Sequence, residues 1–287
     1  MKTQDFSKSL RNLVVLAAVL VAAQATTTKA ELIYGVSDTL NDLVSFNSAT
    51  PGTVNAVGLS GLHSGDALRG IDIVGGTLYG LGDQGYLYTV NTSTGVATMV
   101  GTGLGATLNG VYFGFNAGTS QLYVSSDAGL NLTINPLTGV ATAGPTYTFG
   151  GQPADGDAMA YNYASSSFYG ISVGGSQLFN LNPATGGVTV AATIPSGTLE
   201  HPVGFDISPN TGVAYVATVT TPGGTPDLFT LNLSTGSLTD TGTIGHTGEL
   251  AGGLDGIAVS PVPEPGTLSL LVAGGSYMLF GLIRRKK

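Results

Sequence analysis

The sequence predicts an all-β fold, a β-propeller of about five four-stranded blades. The first observation is a repeated segment, seen at residues 87–98, in which polar and apolar residues alternate up to Asn-x-x-Thr-Gly. Alternation around a short loop that contains glycine is typical of a β-hairpin. The second observation is the spacing of five such segments, whose asparagines are 44, 44, 47 and 50 residues apart: Asn47, Asn91, Asn135, Asn182 and Asn232. A period in the forties with several strands per repeat is the propeller pattern.

Two more strands precede each hairpin and give four strands per blade. The second strands are predicted at residues 32–36, 77–81, 121–124, 167–171 and 213–217, and the first strands at 70–73, 114–116, 159–161, 204–207 and 255–259. The body begins on a second strand and ends on an isolated first strand. We therefore expect the last strand to complete blade one and close the ring, which pairs the free sheet edges. An irregular β-solenoid or a sandwich is the alternative, and neither needs permuted ends.

Residues 1–30 are predicted to be a signal peptide that directs the protein to the Sec machinery for export. Three basic residues precede a helical apolar run of 11 residues at 13–23, and small residues then offer cleavage after Ala25 or after Ala30. This order of basic, apolar and small residues is the pattern of a secretory signal.

The body, residues 31–261, is strongly acidic. Of the 17 acidic residues in the chain only Asp5 and Glu264 lie outside it, which leaves 15, and of the 9 basic residues only Arg69 lies inside it. Its net charge is therefore about −14, which excludes nucleic acid as a partner because such a surface cannot neutralise phosphates. The chain has no cysteine, so disulfides and thiolate chemistry are excluded as well.

The C-terminal segment, residues 262–287, differs from the body in composition. Val262, Pro263, Glu264 and Pro265 end the last strand, since proline cannot donate to a ladder. Residues 267–283 are 17 uncharged and mostly apolar residues, the lower limit for a single membrane-spanning helix. The basic tail that follows favours the cytoplasmic side, with the body outside: Arg284, Arg285, Lys286 and Lys287.

These three parts together resemble the PEP-CTERM sorting signal of Gram-negative bacteria. The resemblance covers residues 262–287 and implies recognition and cleavage by a membrane exosortase near Pro263-Glu264-Pro265. It further implies transient anchoring in the inner membrane, then delivery to the cell surface or the extracellular matrix of a biofilm, often with exopolysaccharide. An ordinary tail anchor is the alternative, although it would not need Pro-Glu-Pro. The body resembles uncharacterised secreted propeller-like domains that share the Leu-Tyr-x-x-Asn-x-x-Thr-Gly repeat, and this resemblance implies no catalytic residues.

The chain has three histidines, and each precedes a predicted first strand. His63, His201 and His246 are expected on one rim of the propeller, each with an acidic residue within three positions: Asp66, Glu200 and Glu249. Such a group could hold a transition metal or supply a general base. Loop histidines without a site are the simpler interpretation.

Carboxylates form a second candidate metal site. Asp72, Asp206 and Asp255 fall on or beside first strands, with Asn116 and Asn162 at matching offsets. First strands line the central channel of a propeller, and oxygen ligands there would suit Ca²⁺. Asp and Asn also close turns and cap strands, which is the alternative reading, and the sequence specifies no cofactor with certainty.

We expect a non-enzymatic, surface-delivered propeller that binds or organises exopolysaccharide or surface proteins. The sorting signal and the anionic body favour this function, and no Gly-x-Ser-x-Gly elbow precedes a helix in the body. The alternative is a secreted metal-dependent hydrolase or lyase with its site on the histidine rim. A purely structural surface coat is a third interpretation.

Overall fold

The computed structural model describes residues 30–37, 39–246 and 250–261. Several predictions concern residues outside the described part of the chain, namely Ala25, Glu249, the sorting residues 262–265 and 284–287, and both terminal helices. In the part of the chain that is described, the regular structure is all β, which confirms the predicted fold class. None of these residues forms a helix long and apolar enough to cross a membrane.

The described residues form twenty-two strands. The first seven are β1 Leu32–Ser37, β2 Asp42–Asn47, β3 Thr50–Gly58, β4 Leu68–Val74, β5 Thr77–Gly82, β6 Leu87–Val90 and β7 Ala97–Val100. The next seven are β8 Phe113–Ala117, β9 Leu122–Ser126, β10 Asn131–Ile134, β11 Ala141–Ala143, β12 Thr148–Phe149, β13 Gln152–Pro153 and β14 Ala158–Asn162. The last eight are β15 Ser167–Ser172, β16 Gln177–Asn182, β17 Gly187–Thr193, β18 Glu200–Ile207, β19 Ala214–Val219, β20 Asp227–Leu231, β21 Leu238–Thr243 and β22 Leu254–Val259.

The strands form five antiparallel sheets, the blades of a propeller. Blade one has the order β22-β1-β2-β3, so the C-terminal strand completes the N-terminal blade as predicted. Blades two, three and five are β4-β5-β6-β7, β8-β9-β10-β11 and β18-β19-β20-β21, and blade four contains β14-β15-β16-β17. The inner strands β4, β8, β14, β18 and β22 each contact the next in a closed ring. The five-bladed propeller is therefore confirmed.

Burial explains why inner and outer strands differ in sequence. The inner strand β22 and the second strand β19 are almost wholly buried, since neighbouring blades cover both of their faces. The outer strands β3 and β21 are largely exposed and carry polar residues. Apolar clusters fill the spaces between adjacent blades, so the core is distributed among five interfaces.

In blades two to five the Asn-x-x-Thr-Gly turn packs against the chain that precedes the blade. Asn91 Oδ1 accepts hydrogen bonds from the backbone N–H of Ser93 and Thr94, at 3.0 and 3.1 Å. Gly95 then takes a φ of 71°. A Cβ on Gly95 would lie 2.2 Å from the carbonyl oxygen of Gly58 in blade one, so only glycine fits this close approach. The recurring Thr-Gly is therefore a packing requirement between blades.

Blade four carries a feature that the sequence analysis missed. The short hairpin β12–β13 adds to the outer edge of this blade, where β12 pairs in parallel with β17. The exposed Phe149 of the hairpin packs on Phe179, with ring centroids 5.1 Å apart. The hairpin covers an edge that would otherwise present unpaired backbone groups.

Candidate functional site

The central channel has two ends, which the direction of the inner strands defines. The upper mouth is the end where these strands begin, and its cavity of about 690 Å³ is lined by Arg69, Asp83, Tyr112, His201 and Asp255 among others. The lower mouth is the end where they finish.

The three histidines lie in different surroundings at the upper ends of their blades. His63 is exposed and stacks on Tyr86, with ring centroids 4.6 Å apart. His246 is exposed, in the described residues that precede β22. His201 is partly buried at the start of β18 and stacks on Tyr112 at 3.5 Å. Of the three, only His201 lines the upper-mouth cavity.

The acidic neighbour of His63 has structural partners. Buried Asp66 accepts the hydroxyl of Tyr88 at 2.6 Å and the backbone N–H of Gln84 at 2.9 Å. The carboxylate nearest His201 is Asp157, whose Oδ2 lies 3.7 Å from His201 Nε2. Sequence distance did not indicate this pair, because Asp157 precedes blade four and His201 begins blade five.

The electrostatics of the Asp157–His201 pair favour neutral forms. Burial raises the pKa of Asp157 to about 8, and the nearby Asp155 and Asp127 add to the rise. Burial lowers the pKa of His201. Asp157 Oδ1 and His201 Nδ1 have no hydrogen-bond partner among the described protein atoms.

Arg69 occupies the upper mouth between two carboxylates. Its Nη1 donates to Asp255 Oδ2 at 3.0 Å and its Nη2 to Asp83 Oδ2 at 3.4 Å. Asp255 is therefore at the opposite end of the channel from Asp72 and Asp206, which line the lower mouth. The structure does not bring the three predicted channel carboxylates together. Within residues 30–37, 39–246 and 250–261, no three His, Asp or Glu side chains form a group that could hold a metal ion.

A ring of hydrogen bonds between blades forms the floor of the lower mouth. Asp72 accepts the backbone N–H of Ala117 in the next blade, and Asp206 Oδ2 accepts that of Val259 at 2.7 Å. Asn116 Nδ2 donates to Asp206 Oδ1 at 3.0 Å, which joins blade three to blade five. Asp72, Asn116 and Asp206 therefore lie together in this floor. Asn162 instead accepts hydrogen bonds from backbone N–H groups in the turn after β14.

Both carboxyl groups of the floor are shifted in the same direction. Burial, followed by the charge of Asp206, raises the pKa of Asp72 well above its ordinary value. Burial also raises the pKa of Asp206 to about 6. The lower-mouth cavity, on the solvent side of this floor, has a volume of about 310 Å³, and residues from all five blades line it.

A groove with a larger volume than either mouth lies between blades three and four, and the sequence did not predict it. We call it the three–four groove; its volume is about 860 Å³. Its walls combine aromatic rings with amide and hydroxyl groups: Tyr123, Tyr161 and Phe168 with Thr133, Asn180 and Thr189. None of the described residues that line it is charged.

Two positions at the interface between blades three and four depart from the repeat, and one of them, the pair Tyr161–Phe168, lines the groove. Tyr161 pairs across the strands with Phe168, and the same pair is aliphatic in the other blades: Ile73–Leu78, Ala117–Leu122, Ile207–Ala214 and Val259–Ile33. Asn131 pairs with Ser125, where the other blades have Leu43–Val36, Leu87–Leu81, Leu178–Ile171 and Leu228–Ala217. An alignment of the five repeats by strand position could have revealed both departures.

Comparison with protein families gives one match. A family model described as a domain of unknown function, DUF4394, matches residues 42–254. No curated protein matches the chain.

Solved structures with a similar fold include a protein of unknown function from Bacteroides thetaiotaomicron VPI-5482, with 16% identity and a TM-score of 0.47 over 71% of this chain and 56% of that one. The chain thus spans little more than half the length of that relative. A protein of unknown function from Bacteroides caccae matches with 10% identity and a TM-score of 0.47 over 81% of this chain and 100% of that one. A chain of a nidogen/laminin complex matches with 10% identity and a TM-score of 0.48, over 80% and 98%.

Proposed function

The chain belongs to the DUF4394 family, and from this premise we propose that it is an exported, non-enzymatic propeller whose three–four groove binds a neutral exopolysaccharide. The observation that carries the proposal is the composition of the groove. Sugars present apolar ring faces and many hydroxyl groups, and a site for them needs aromatic surfaces beside amide and hydroxyl partners. Tyr123 and Tyr161 supply the first, and Asn180 and Thr189 the second.

Charge restricts the ligand class further. The body carries about 15 acidic residues and one basic residue, so its field opposes anionic polymers. The groove itself contains no charged residue that could bind a counter-ion or a uronic acid. A neutral polymer suits both facts.

The test is binding of the exported protein to the exopolysaccharide of its own host, separated by anion exchange into neutral and anionic fractions. We expect the protein to co-migrate with the neutral fraction in size exclusion. Tyr161→Ile places in the groove the residue that blades two and five have at the same position, and should weaken binding about tenfold, or about 1.4 kcal/mol. Tyr86→Ile, outside the groove, is the matched control.

Three outcomes would oppose the proposal. Equal binding by the Tyr161→Ile variant would remove the groove from the site. A preference for the anionic fraction would contradict the charge argument. Shortening of the polymer would instead favour the hydrolase or lyase predicted from His63, His201 and His246.

Delivery to the cell surface by an exosortase belongs to the same proposal. It rests on the resemblance of residues 262–287 to a sorting signal. The body's last described residue, Pro261, lies beside the lower mouth, where Asn210 Nδ2 donates to its carbonyl oxygen at 2.7 Å. We expect the intact mass of the surface protein to lack the tail from Arg284 to Lys287. A surface form that retains this tail would contradict processing.

A further inference from the structure

We propose that the lower mouth holds the terminal sugar of the same polymer, so that the protein binds chain ends rather than chain interiors. The inference rests on the proposed function of the three–four groove. The geometric basis is that the groove and the lower-mouth cavity share lining residues, Gly118 and Thr119. A chain that lies in the groove can therefore continue into the mouth.

The channel does not let a polymer pass through. Asn116 and Asp206 are hydrogen-bonded across it at 3.0 Å. Above this floor the inner strands pack so closely that the void lined by Gly70, Phe115 and Phe205 has a volume of only about 10 Å³. A polymer that enters the lower mouth must consequently end there.

The floor offers hydrogen-bonding groups for the hydroxyl groups of a terminal sugar. Asp72 Oδ1 accepts one backbone N–H, from Ile73, and Asp72 Oδ2 accepts one, from Ala117. Asp206 Oδ2 likewise accepts one, from Val259. Each carboxyl oxygen has two lone pairs, so one position on each of these three oxygens remains for a ligand. Burial raises the pKa of Asp72 well above its ordinary value and so favours its protonated form, which donates one hydrogen bond to a ligand oxygen, while Asp206 accepts a ligand hydroxyl.

The side wall of the mouth provides an aromatic surface at the junction with the groove. Tyr163 is 38% exposed and packs edge-on to Tyr161 of the groove, with ring centroids 4.9 Å apart. Its hydroxyl lies 3.3 Å from the carbonyl oxygen of Gly118, which fixes the ring beside the shared residues. The aromatic surface of the groove thus continues into the lower mouth.

The first measurement varies the number of chain ends at constant mass of polymer. The neutral exopolysaccharide fraction is sonicated to about one-tenth of its mean length, and protein bound per gram is measured by sedimentation. Binding of chain ends predicts that capacity rises about tenfold, in proportion to the number of ends. An unchanged capacity would overturn the inference and leave the groove proposal intact, whereas no binding at any length would contradict the groove proposal itself.

A variant locates the effect at the mouth. Pro209 lines the lower mouth and not the groove, so Pro209→Trp should fill the cavity and abolish the rise in capacity with sonication. Pro209→Ala is the matched control and should behave as the unaltered protein. A rise in capacity that persists in Pro209→Trp, with the fold confirmed by circular dichroism, would exclude the lower mouth as the end-binding site.

Discussion

The interface between blades two and three and the interface between blades three and four have the same backbone architecture and opposite character. In the first, Leu81 and Leu87 of blade two face aliphatic residues of blade three, and the space is filled. In the second, the corresponding pair of blade three is Ser125 and Asn131, and the facing cluster of blade four is aromatic. The groove of about 860 Å³ opens at the second interface.

This difference shows how a repeat protein acquires a site without a new structural element. The strands keep their register in both places, and the turn that joins Asn135 to Gly139 keeps its hydrogen bonds. What changes is the side chain at a few positions that face a neighbouring blade. Aliphatic residues close the first interface, whereas at the second the pair Tyr161–Phe168 lines an open space with groups that can bind a ligand, and Ser125 and Asn131 stay buried.

The largest effect is expected at the closed interface. Leu87 is fully buried, so Leu87→Ala should lower the free energy of unfolding by about 2–5 kcal/mol through lost burial and a residual cavity. Urea denaturation measures the change. Binding of the neutral polysaccharide should be unaltered in the folded fraction. A loss of less than about 1 kcal/mol in the free energy of unfolding would mean that the interface between blades two and three is not closely packed.

A smaller change in the free energy of unfolding is expected at the interface between blades three and four, and its sign is informative. Asn131→Leu restores the residue that the other four blades have at this position. Asn131 Nδ2 donates to the carbonyl oxygens of Pro145 and Pro183, each at 2.8 Å, and leucine would leave both acceptors without this donor. We expect a loss of about 1–3 kcal/mol in urea denaturation. A more stable variant would indicate that Asn131 is retained for binding rather than for the fold.

Most of the fold could be predicted from the sequence because it depends on local patterns. Alternation located the strands, the period gave the blade count, and the permuted ends gave the closure between β1 and β22. The hairpin β12–β13 was missed because its strands are only two residues long, too short for any alternation to be seen.

The sites could be predicted less well because they depend on distances between blades. The sequence places His201 beside Glu200, yet its nearest carboxylate belongs to Asp157 of the preceding blade. Asp255 was grouped with Asp72 by strand membership, although the two lie at opposite ends of their strands and hence at opposite mouths. The position of a residue along its inner strand determines the mouth at which it lies, and this position can be read from the sequence.

The last prediction compares the acidic residues that precede blades two and four. Asp66 has Tyr88 and Gln84 as partners for its two oxygens, whereas one oxygen of Asp157 has no partner among the described protein atoms. The pKa of Asp157 is about 8 in the folded protein and near 3.8 when unfolded, so the folded state binds a proton that the unfolded state releases in this range. Stability should therefore fall as the pH rises from about 4 to about 8, by roughly 1.4 kcal/mol for each unit of the shift that is realised.

Asp157→Asn should remove this dependence, since the amide does not ionise. Urea midpoints at pH 7.0 and 8.5 are the measurement, because both lie above the ordinary pKa of His201, about 6.5, and the lowered pKa of that histidine contributes only below it. We expect the variant to gain stability relative to the unaltered protein as the pH rises across this interval. Asp66→Asn is the matched control and should lose stability at both pH values, since its amide has one acceptor oxygen for the two donors, Tyr88 and Gln84. An equal shift of the urea midpoint for Asp157→Asn and the unaltered protein would mean that water solvates the free oxygen of Asp157. The open space between blades three and four would then extend to the upper end of this interface.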